Sequence, residues 1–345
     1  MFKLPLYQPT SSHSSLLEWF FSSKPIFSNT TKDAAFQVSS ILDDIPNSST
    51  LTSGFEFHHY DSTIYPDYLV FLLSTDLSSL PSTSLPIWWS RYIDILTSSS
   101  HNSTFSLIPE NWLEFDFINP KLVLNGLWQR VTEQSRTYDI NSWHQLAECI
   151  SGGFISYESL LNHSVICNLI QMFSLPQQIG LMHGRTHNLK LMFQLDSMTC
   201  LKNFQTFIST STPEISQIFA PISQYLLSYG LILRPAISVD IDLRSSILVP
   251  NNISIEIHQE HQLGRTLLPE SHYFLDSILN VADYQLSSLS SLLMHLPYGE
   301  SFSFSNSDLS LSKLENISRL NHLKVQFKNN RWNLKSYVKL IQNLS

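Results

Sequence analysis

The chain has 345 residues, and because 43% of them are hydrophobic and only 14% are charged, it can bury a large core and is not disordered as a whole. Its net charge of −8 argues against a general nucleic-acid binder, since phosphate contacts need clustered lysine and arginine. No apolar run approaches the roughly twenty residues of a membrane span, so we expect no transmembrane helix.

Cysteine usage and the N-terminal residues predict the compartment. The three cysteines, Cys149, Cys167 and Cys200, have no metal-binding spacing, and so small an odd number fits a reducing environment. Residues 1–12 lack an apolar core long enough for a signal peptide. We therefore expect a cytoplasmic protein.

Helical segments recur along the whole chain. Apolar residues at helical spacing, serine and threonine caps, and proline at the first turn mark where the helices begin. Gly230 is expected to end one of them. Helices are expected at 14–21, 32–42, 86–97, twice within 142–173, and at 201–208, 213–229 and 269–296.

Five pairs of amphipathic strands separate these helices. In each pair, apolar and polar residues alternate with the period of two that places them on opposite faces of a strand. The pairs are expected at 54–76, 111–128 (with 121–124 as the return strand), 178–196, 231–261 and 322–342. The last segment is expected to finish as helix.

The fourth pair shows the most regular alternation. Val239, Ile241 and Leu243 oppose Asp240, Asp242 and Arg244, and a second alternating run covers 253–258. Between the two runs, Pro250, Asn251 and Asn252 predict the turn. This hairpin has one apolar face and one densely ionisable face, which suggests a functional surface, although a solvated outer face explains the same pattern.

The repeated helix–strand–strand–helix unit predicts an α+β protein that forms one domain over residues 1–345. The simplest arrangement is an antiparallel β-barrel of about ten strands with the helices outside and the polar strand faces lining a lumen. An open antiparallel sheet with helices on one face explains the alternation equally. The polar set comprises Glu56, His58, Trp112, Glu114, Asp116, Lys190, Gln194, Asp240, Asp242, Arg244, Glu256, His258, Lys324, Lys335 and Tyr337.

Several short segments resemble the aromatic prenyltransferases with an antiparallel ABBA or PT barrel, and within that group the cyanobacterial peptide (cyanobactin-type) prenyltransferases. Residues 241–245, Ile-Asp-Leu-Arg-Ser, resemble a strand of those enzymes, and Glu56 in Gly-Phe-Glu-Phe resembles their general base. Lys335-Ser336-Tyr337, and more loosely Lys190 with Phe193, resemble their diphosphate-binding positions. Two features depart from the family: residues 241–245 fall in the fourth pair, and Ile255-Glu256-Ile257 stands where a lysine beside an aromatic residue is expected.

The resemblance implies a prenyltransferase that moves an isoprenoid from an allylic diphosphate to an aromatic or peptide acceptor. Glu56 or Glu114 would accept the proton. Charge-assisted bonds to the diphosphate would come from Arg185, Lys190, Arg244, Lys324 and Lys335, with Tyr337 beside them. Tyr60, Tyr68 and Trp112, together with Tyr337, would shield the carbocation.

A magnesium ion is the only cofactor that the sequence suggests. Asp240 and Asp242 share a strand face and are candidates to hold Mg²⁺ bridging the diphosphate. The histidines have no metal-binding spacing, and no phosphate-binding loop or dinucleotide fingerprint occurs, so we expect no nucleotide cofactor.

A non-catalytic protein remains the alternative. The same acids and bases could neutralise one another in a buried ionic network, and the barrel would then bind a peptide, a lipid or a partner protein in natural-product biosynthesis. The two classes differ in whether a glutamate and clustered cations face one cavity.

Overall fold

A computed structural model of the chain describes residues 33, 36, 52–60, 63–73, 90, 110–116, 123–130, 143, 147–148, 156–182, 188–211, 213–233, 235–242, 247–258, 302–304, 314–328 and 331–344. The helices predicted at 14–21 and 269–296 lie outside the described residues. Of those predicted at 32–42 and 86–97, only Asp33, Phe36 and Ser90 are described, and all three are helical.

Eleven strands in the described part of the chain form one antiparallel sheet. Along it the order is β11-β1-β2-β3-β4-β5-β6-β7-β8-β10-β9, and β11 also pairs with β10. The strands are β1 (Thr52–Tyr60), β2 (Thr63–Leu73), β3 (Glu110–Asp116), β4 (Val123–Arg130), β5 (Gln178–Met182), β6 (Asn188–Gln194), β7 (Pro235–Asp242), β8 (Ile247–His258), β9 (Phe302–Phe304), β10 (Leu314–Lys328) and β11 (Arg331–Leu344).

Four helices are described in full: α1 (Tyr157–Leu161), α2 (Ser164–Phe173), α3 (Met198–Thr210) and α4 (Pro213–Leu233). Ser156 caps α1, His163 caps α2 and Ser197 caps α3, in each case by accepting a hydrogen bond from a backbone N–H of the first turn. None of these helices is long and apolar enough to cross a membrane. The mixture of helices and antiparallel strands confirms the predicted mixed secondary structure.

The helices cover the apolar face of the sheet. Phe173 at the end of α2 packs its ring 5.6 Å from that of Phe193 on β6 and 6.0 Å from that of Phe207 on α3. Helix α4 contacts β7 and β8. Val239 and Ile241 are fully buried, and so is Ile255, which lies on the same face of β8. Residues at alternate positions, such as Asp240, therefore lie on the opposite face.

The structure corrects three boundaries. Helix α4 continues through Gly230 to Leu233, because a glycine destabilises a helix interior by only about 1 kcal/mol. It ends instead ahead of Pro235, since a proline disfavours helical conformation in the residue before it. The return strand predicted at 121–124 is β4, which begins at Val123 and runs to Arg130. The last segment is strand throughout, since β11 pairs along its length with β10.

The fourth strand pair turns at a different place from the one predicted. Pro250, Asn251 and Asn252 lie inside β8, where the register shifts between Val239 opposite Ile253 and Ile241 opposite Leu248. Proline cannot donate to a sheet ladder and is tolerated at such irregularities. The proline and asparagines therefore mark a break in the ladder beside Asp240, not the hairpin turn.

Candidate active site

Strand register gathers ionisable residues from five strands on the face of the sheet opposite the helices. Directly paired residues of neighbouring strands share a face. Glu56 on β1 lies opposite both Asp67 on β2 and Tyr337 on β11. Lys324 on β10 lies opposite both Lys335 on β11 and Glu256 on β8. Each of these five charged side chains is buried. We call this surface the polar face.

Glu56 is held by two donors from β11. Its Oε1 accepts a hydrogen bond and ion pair from the Lys335 ammonium, and both side chains are buried. The Tyr337 hydroxyl donates a further hydrogen bond to Glu56. Burial, followed by the charges of Glu56, Glu256 and Glu114, holds the pKa of Tyr337 well above its ordinary value. Tyr337 therefore stays protonated near neutral pH and serves as a donor.

Glu256 forms a second centre of the same kind. Its Oε1 accepts from Lys324 Nζ at 2.7 Å and from Ser238 Oγ at 2.6 Å. Its Oε2 lies 3.9 Å from Nε2 of His322, whose ring stacks on that of Tyr337 with centroids 3.7 Å apart. The stacked rings join the Glu256 centre to the Glu56 centre, so the two form one contiguous network.

Lys190 extends the network to the far side of the polar face. Burial lowers its pKa, and the nearby cations Lys324 and Lys335 lower it further, while Asp240 and Glu114 act against them. Asp240 lies directly opposite Lys190 in the β6–β7 ladder. Because all these groups affect one ammonium, the charges of the polar face act as one electrostatic cluster.

Three buried carboxylates converge beside Lys335. Glu56, Asp67 and Glu114 each bring one oxygen within 4.8 Å of the others. Hard cations such as Mg²⁺ prefer carboxylate oxygens, so these three residues are a group that could hold such an ion. Within the described residues, Asp240 and Asp242 belong to no such group.

The structure describes only some of the remaining predicted site residues. Arg185 and Arg244 lie outside the described residues, as does the side chain of Tyr60 at the end of β1. Trp112 lies opposite Phe71 on β2 and Trp128 on β4. It is two positions from Glu114 on β3 and therefore shares the polar face with it. Asp242 lies opposite Asn188, two positions beyond Asp240 on the same face of β7.

Tyr68 lies on the wrong face for the predicted role. It is fully buried on the helix-covered face, opposite Phe55, with the two rings 5.1 Å apart. The prediction that Tyr68 shields a carbocation is therefore corrected, because Tyr68 follows Asp67 on β2 and adjacent positions of a strand point to opposite faces.

The network contains four residues that are not among the predicted site residues: Asp67, Ser238, Glu256 and His322. Tyr60 lies opposite Thr63 and Glu56 opposite Asp67, a register that a tight turn between the two strands predicts. Glu256 was placed on the polar face but given no role, since the resemblance expects a lysine in that strand.

The comparisons with known proteins concern the fold. The chain matches no protein-family model and no curated protein sequence. Its structure is similar to the crystal structure of AnaPT from Neosartorya fischeri, an ABBA prenyltransferase, with a TM-score of 0.58 over 94% of this chain and 91% of that chain. At 10% sequence identity, the likeness is one of fold. It does not single out the cyanobacterial subfamily.

Proposed function

We propose that the chain is a prenyltransferase that transfers an isoprenoid from an allylic diphosphate to an aromatic or peptide acceptor on the polar face. The fold likeness to AnaPT supports the reaction class. The observation that carries the proposal is the buried network, which brings a glutamate and two lysines together. Glu56 forms an ion pair with Lys335, and Lys324 lies opposite Lys335 on the adjacent strand.

In this proposal the sheet closes into a barrel of ten strands. The double pairing of β11 supports closure, because the ladder that runs from β1 through β8 to β10 returns through β11 to β1. A barrel of more than about eight strands leaves interior space, and the polar face would line it. Solvent would be excluded from the reacting groups, which strengthens the electrostatic contacts that they make.

Each part of the network has a role in the proposed reaction. Lys324 and Lys335 hold the diphosphate and stabilise its departure, since charge-assisted bonds to phosphate oxygens are the strong kind. Glu56 accepts the proton of the acceptor once Lys335 turns to the diphosphate. Tyr337, and Trp112 across the face, supply aromatic surface for the carbocation. Asp67 and Glu114 would hold a Mg²⁺ ion, which would supply positive charge for the diphosphate while Glu56 serves as the base.

Titration with a prenyl thiodiphosphate, which resists ionisation, tests the proposal. We expect the full-length protein to bind dimethylallyl thiodiphosphate in an isothermal titration, with or without Mg²⁺, and the variant Lys324→Ala/Lys335→Ala to lose that binding. Circular dichroism of the variant controls for folding. Transfer to peptide and aromatic acceptors is then followed by mass spectrometry. No binding by the wild-type protein at any accessible concentration would contradict the proposal.

The ion pairs also favour a second candidate function. Lys335 and Lys324 each have a carboxylate partner within the described residues. A network that neutralises itself suits a non-catalytic barrel that binds a peptide, a lipid or a partner protein. Under that function, the wild-type protein would bind no thiodiphosphate, and removing the lysines would affect only its stability.

A further inference from the structure

One acid on the polar face, Glu256, lies where it would weaken the binding of the diphosphate in the proposed reaction. Glu256 is buried, and its Oε1 lies 2.7 Å from Lys324 Nζ, one of the two ammonium groups proposed to bind the diphosphate. An ammonium that is already paired with a carboxylate offers less to an incoming phosphate. The position of Glu256 therefore bears directly on donor binding.

Lys324 and Lys335 are direct cross-strand neighbours, which places their Cβ atoms about 4.5–5.5 Å apart on one face. Two ammonium groups so placed repel each other. An anion bound between them would relieve that repulsion, and both side chains can reach such an anion. Their carboxylate partners lie on opposite sides: Glu256 is on β8, beyond Lys324, and Glu56 is on β1, beyond Lys335. Each lysine is therefore paired with an acid on a different neighbouring strand.

Both carboxylates have another donor that remains when the lysine leaves. Glu256 Oε1 also accepts from the Ser238 hydroxyl, and its Oε2 faces His322. Glu56 also accepts from the Tyr337 hydroxyl. A buried carboxylate that lost its last donor would be strongly disfavoured. Each acid therefore keeps a hydrogen bond from a hydroxyl when its lysine turns to a ligand.

We propose that Glu256 is an autoinhibitory residue, which holds Lys324 away from Lys335 until a diphosphate displaces it and so sets the affinity for the prenyl donor. This inference rests on the proposed prenyl transfer and adds to it a competition between Glu256 and the donor for one ammonium group. The consequence is unusual for a buried charged residue, because removing Glu256 should improve ligand binding.

The test compares Glu256→Gln with wild type in titrations of dimethylallyl thiodiphosphate and of inorganic pyrophosphate. We expect the variant to bind both ligands at least about tenfold more tightly, since close charge pairs of this kind couple strongly. Thermal denaturation should also show a larger ligand-induced rise in Tm for the variant, because the ligand replaces a missing counter-charge. A purely structural role for Glu256 predicts no gain in affinity.

Asp240→Asn is the matched control. It removes the same charge from another buried position of the polar face, opposite Lys190. If the effect arises from the release of Lys324, Asp240→Asn tightens binding much less than Glu256→Gln does. Equal tightening in the two variants would overturn the inference in favour of net charge alone.

Two further variants keep the inference testable. Glu256→Asp retains the charge but shortens the side chain, so it should fold even where Glu256→Gln does not, and its affinity should lie between those of wild type and Glu256→Gln. In Glu256→Gln/Lys324→Gln, the gain should disappear. If the wild-type protein binds and turns over the donor but neither Glu256→Gln nor Glu256→Asp binds it more tightly, this inference is contradicted and the proposed function stands. Absence of binding in every variant would sink the proposed function with it.

Discussion

At the scale of single residues, Glu56 is constrained from two directions. Its carboxylate accepts a hydrogen bond from the Tyr337 hydroxyl and neutralises Lys335 in the absence of substrate, and in the proposed reaction it must also accept a proton. Glutamine keeps the shape of the side chain and removes its charge. The substitution Glu56→Gln therefore separates the proton-accepting role from the shape of the site.

We expect Glu56→Gln to lower prenyl transfer by about 10²–10⁴-fold, the range typical of a general base. It should also lower the free energy of unfolding by about 3–5 kcal/mol, because Lys335 is left buried without its counter-charge. Glu114→Gln is expected to reduce transfer as well, since its carboxylate lies within the same group of oxygens. Initial rates by mass spectrometry and urea denaturation measure the two effects separately.

The double variant Glu56→Gln/Lys335→Gln is the control for stability. It removes both charges of the pair, so most of the lost stability should return while transfer stays low. Full turnover in both Glu56→Gln and Glu114→Gln would mean that the proton is accepted elsewhere.

His163 predicts a dependence of stability on pH. Its Nδ1 accepts the backbone N–H of Ile166 at 3.4 Å and so caps α2, and burial lowers its pKa despite an opposing backbone hydrogen bond. The unfolded state therefore takes up a proton first as the pH falls. The stabilisation is complete above the ordinary histidine pKa of about 6.5 and declines as the pH drops below it.

His163→Asn tests this dependence, because an asparagine can accept the same hydrogen bond at every pH. The chain has 13 histidines, so the informative quantity is the difference between variant and wild type. We expect the decline in the free energy of unfolding between pH 7 and pH 5, measured by urea denaturation, to be smaller in the variant. An unchanged decline would show that another group causes it.

At the scale of helices and strands, the alternating faces could be predicted from sequence because the period of two is a property of the strand itself. Val239 and Asp240 lie on the faces that the alternation predicts. The break in the ladder at 249–252 could not be predicted, because proline and asparagine favour a turn and a bulge alike. The extension of α4 past Gly230 could not be predicted either, because a glycine is compatible both with the end of a helix and, at a modest cost, with its interior.

The packing of α2 against the sheet gives a prediction at this scale. Phe173 is 3% exposed and contacts Phe193 on β6 and Phe207 on α3 through its ring. Replacing a buried phenylalanine by alanine removes its burial and leaves a cavity, so Phe173→Ala should cost about 3–5 kcal/mol in the free energy of unfolding. Phe173→Leu, which keeps much of the volume, should cost clearly less. A loss below about 1 kcal/mol for Phe173→Ala would contradict this packing.

At the scale of the whole molecule, the candidate site depends on contacts between distant parts of the chain. Lys335 meets Glu56 across 279 positions of sequence, and Lys324 meets Glu256 across 68. A closed antiparallel barrel brings its last strand pair beside its first, so that arrangement predicts Lys335 near Glu56. The ion pair between Lys324 and Glu256 could not be predicted, because residues 259–313 separate β8 from β10 in sequence and no short turn fixes the register between the two strands.

Ser336 on β11 can test whether the sheet closes. Ser336 lies opposite Phe57 on β1 and also opposite Leu323 on β10. Directly opposed residues of antiparallel strands have Cα atoms about 4.5–5.5 Å apart, within the range that a disulfide spans. In a chain whose own three cysteines are replaced by serine, Ser336→Cys should therefore form a disulfide with Phe57→Cys and, in a separate variant, with Leu323→Cys. His59→Cys, which lies two positions out of register with Ser336, is the control and should form none. Non-reducing electrophoresis after mild oxidation shows whether a disulfide has formed in each of the three variants. A link to Leu323→Cys without one to Phe57→Cys would leave β11 at the edge of an open sheet, and the polar face would then be open to solvent.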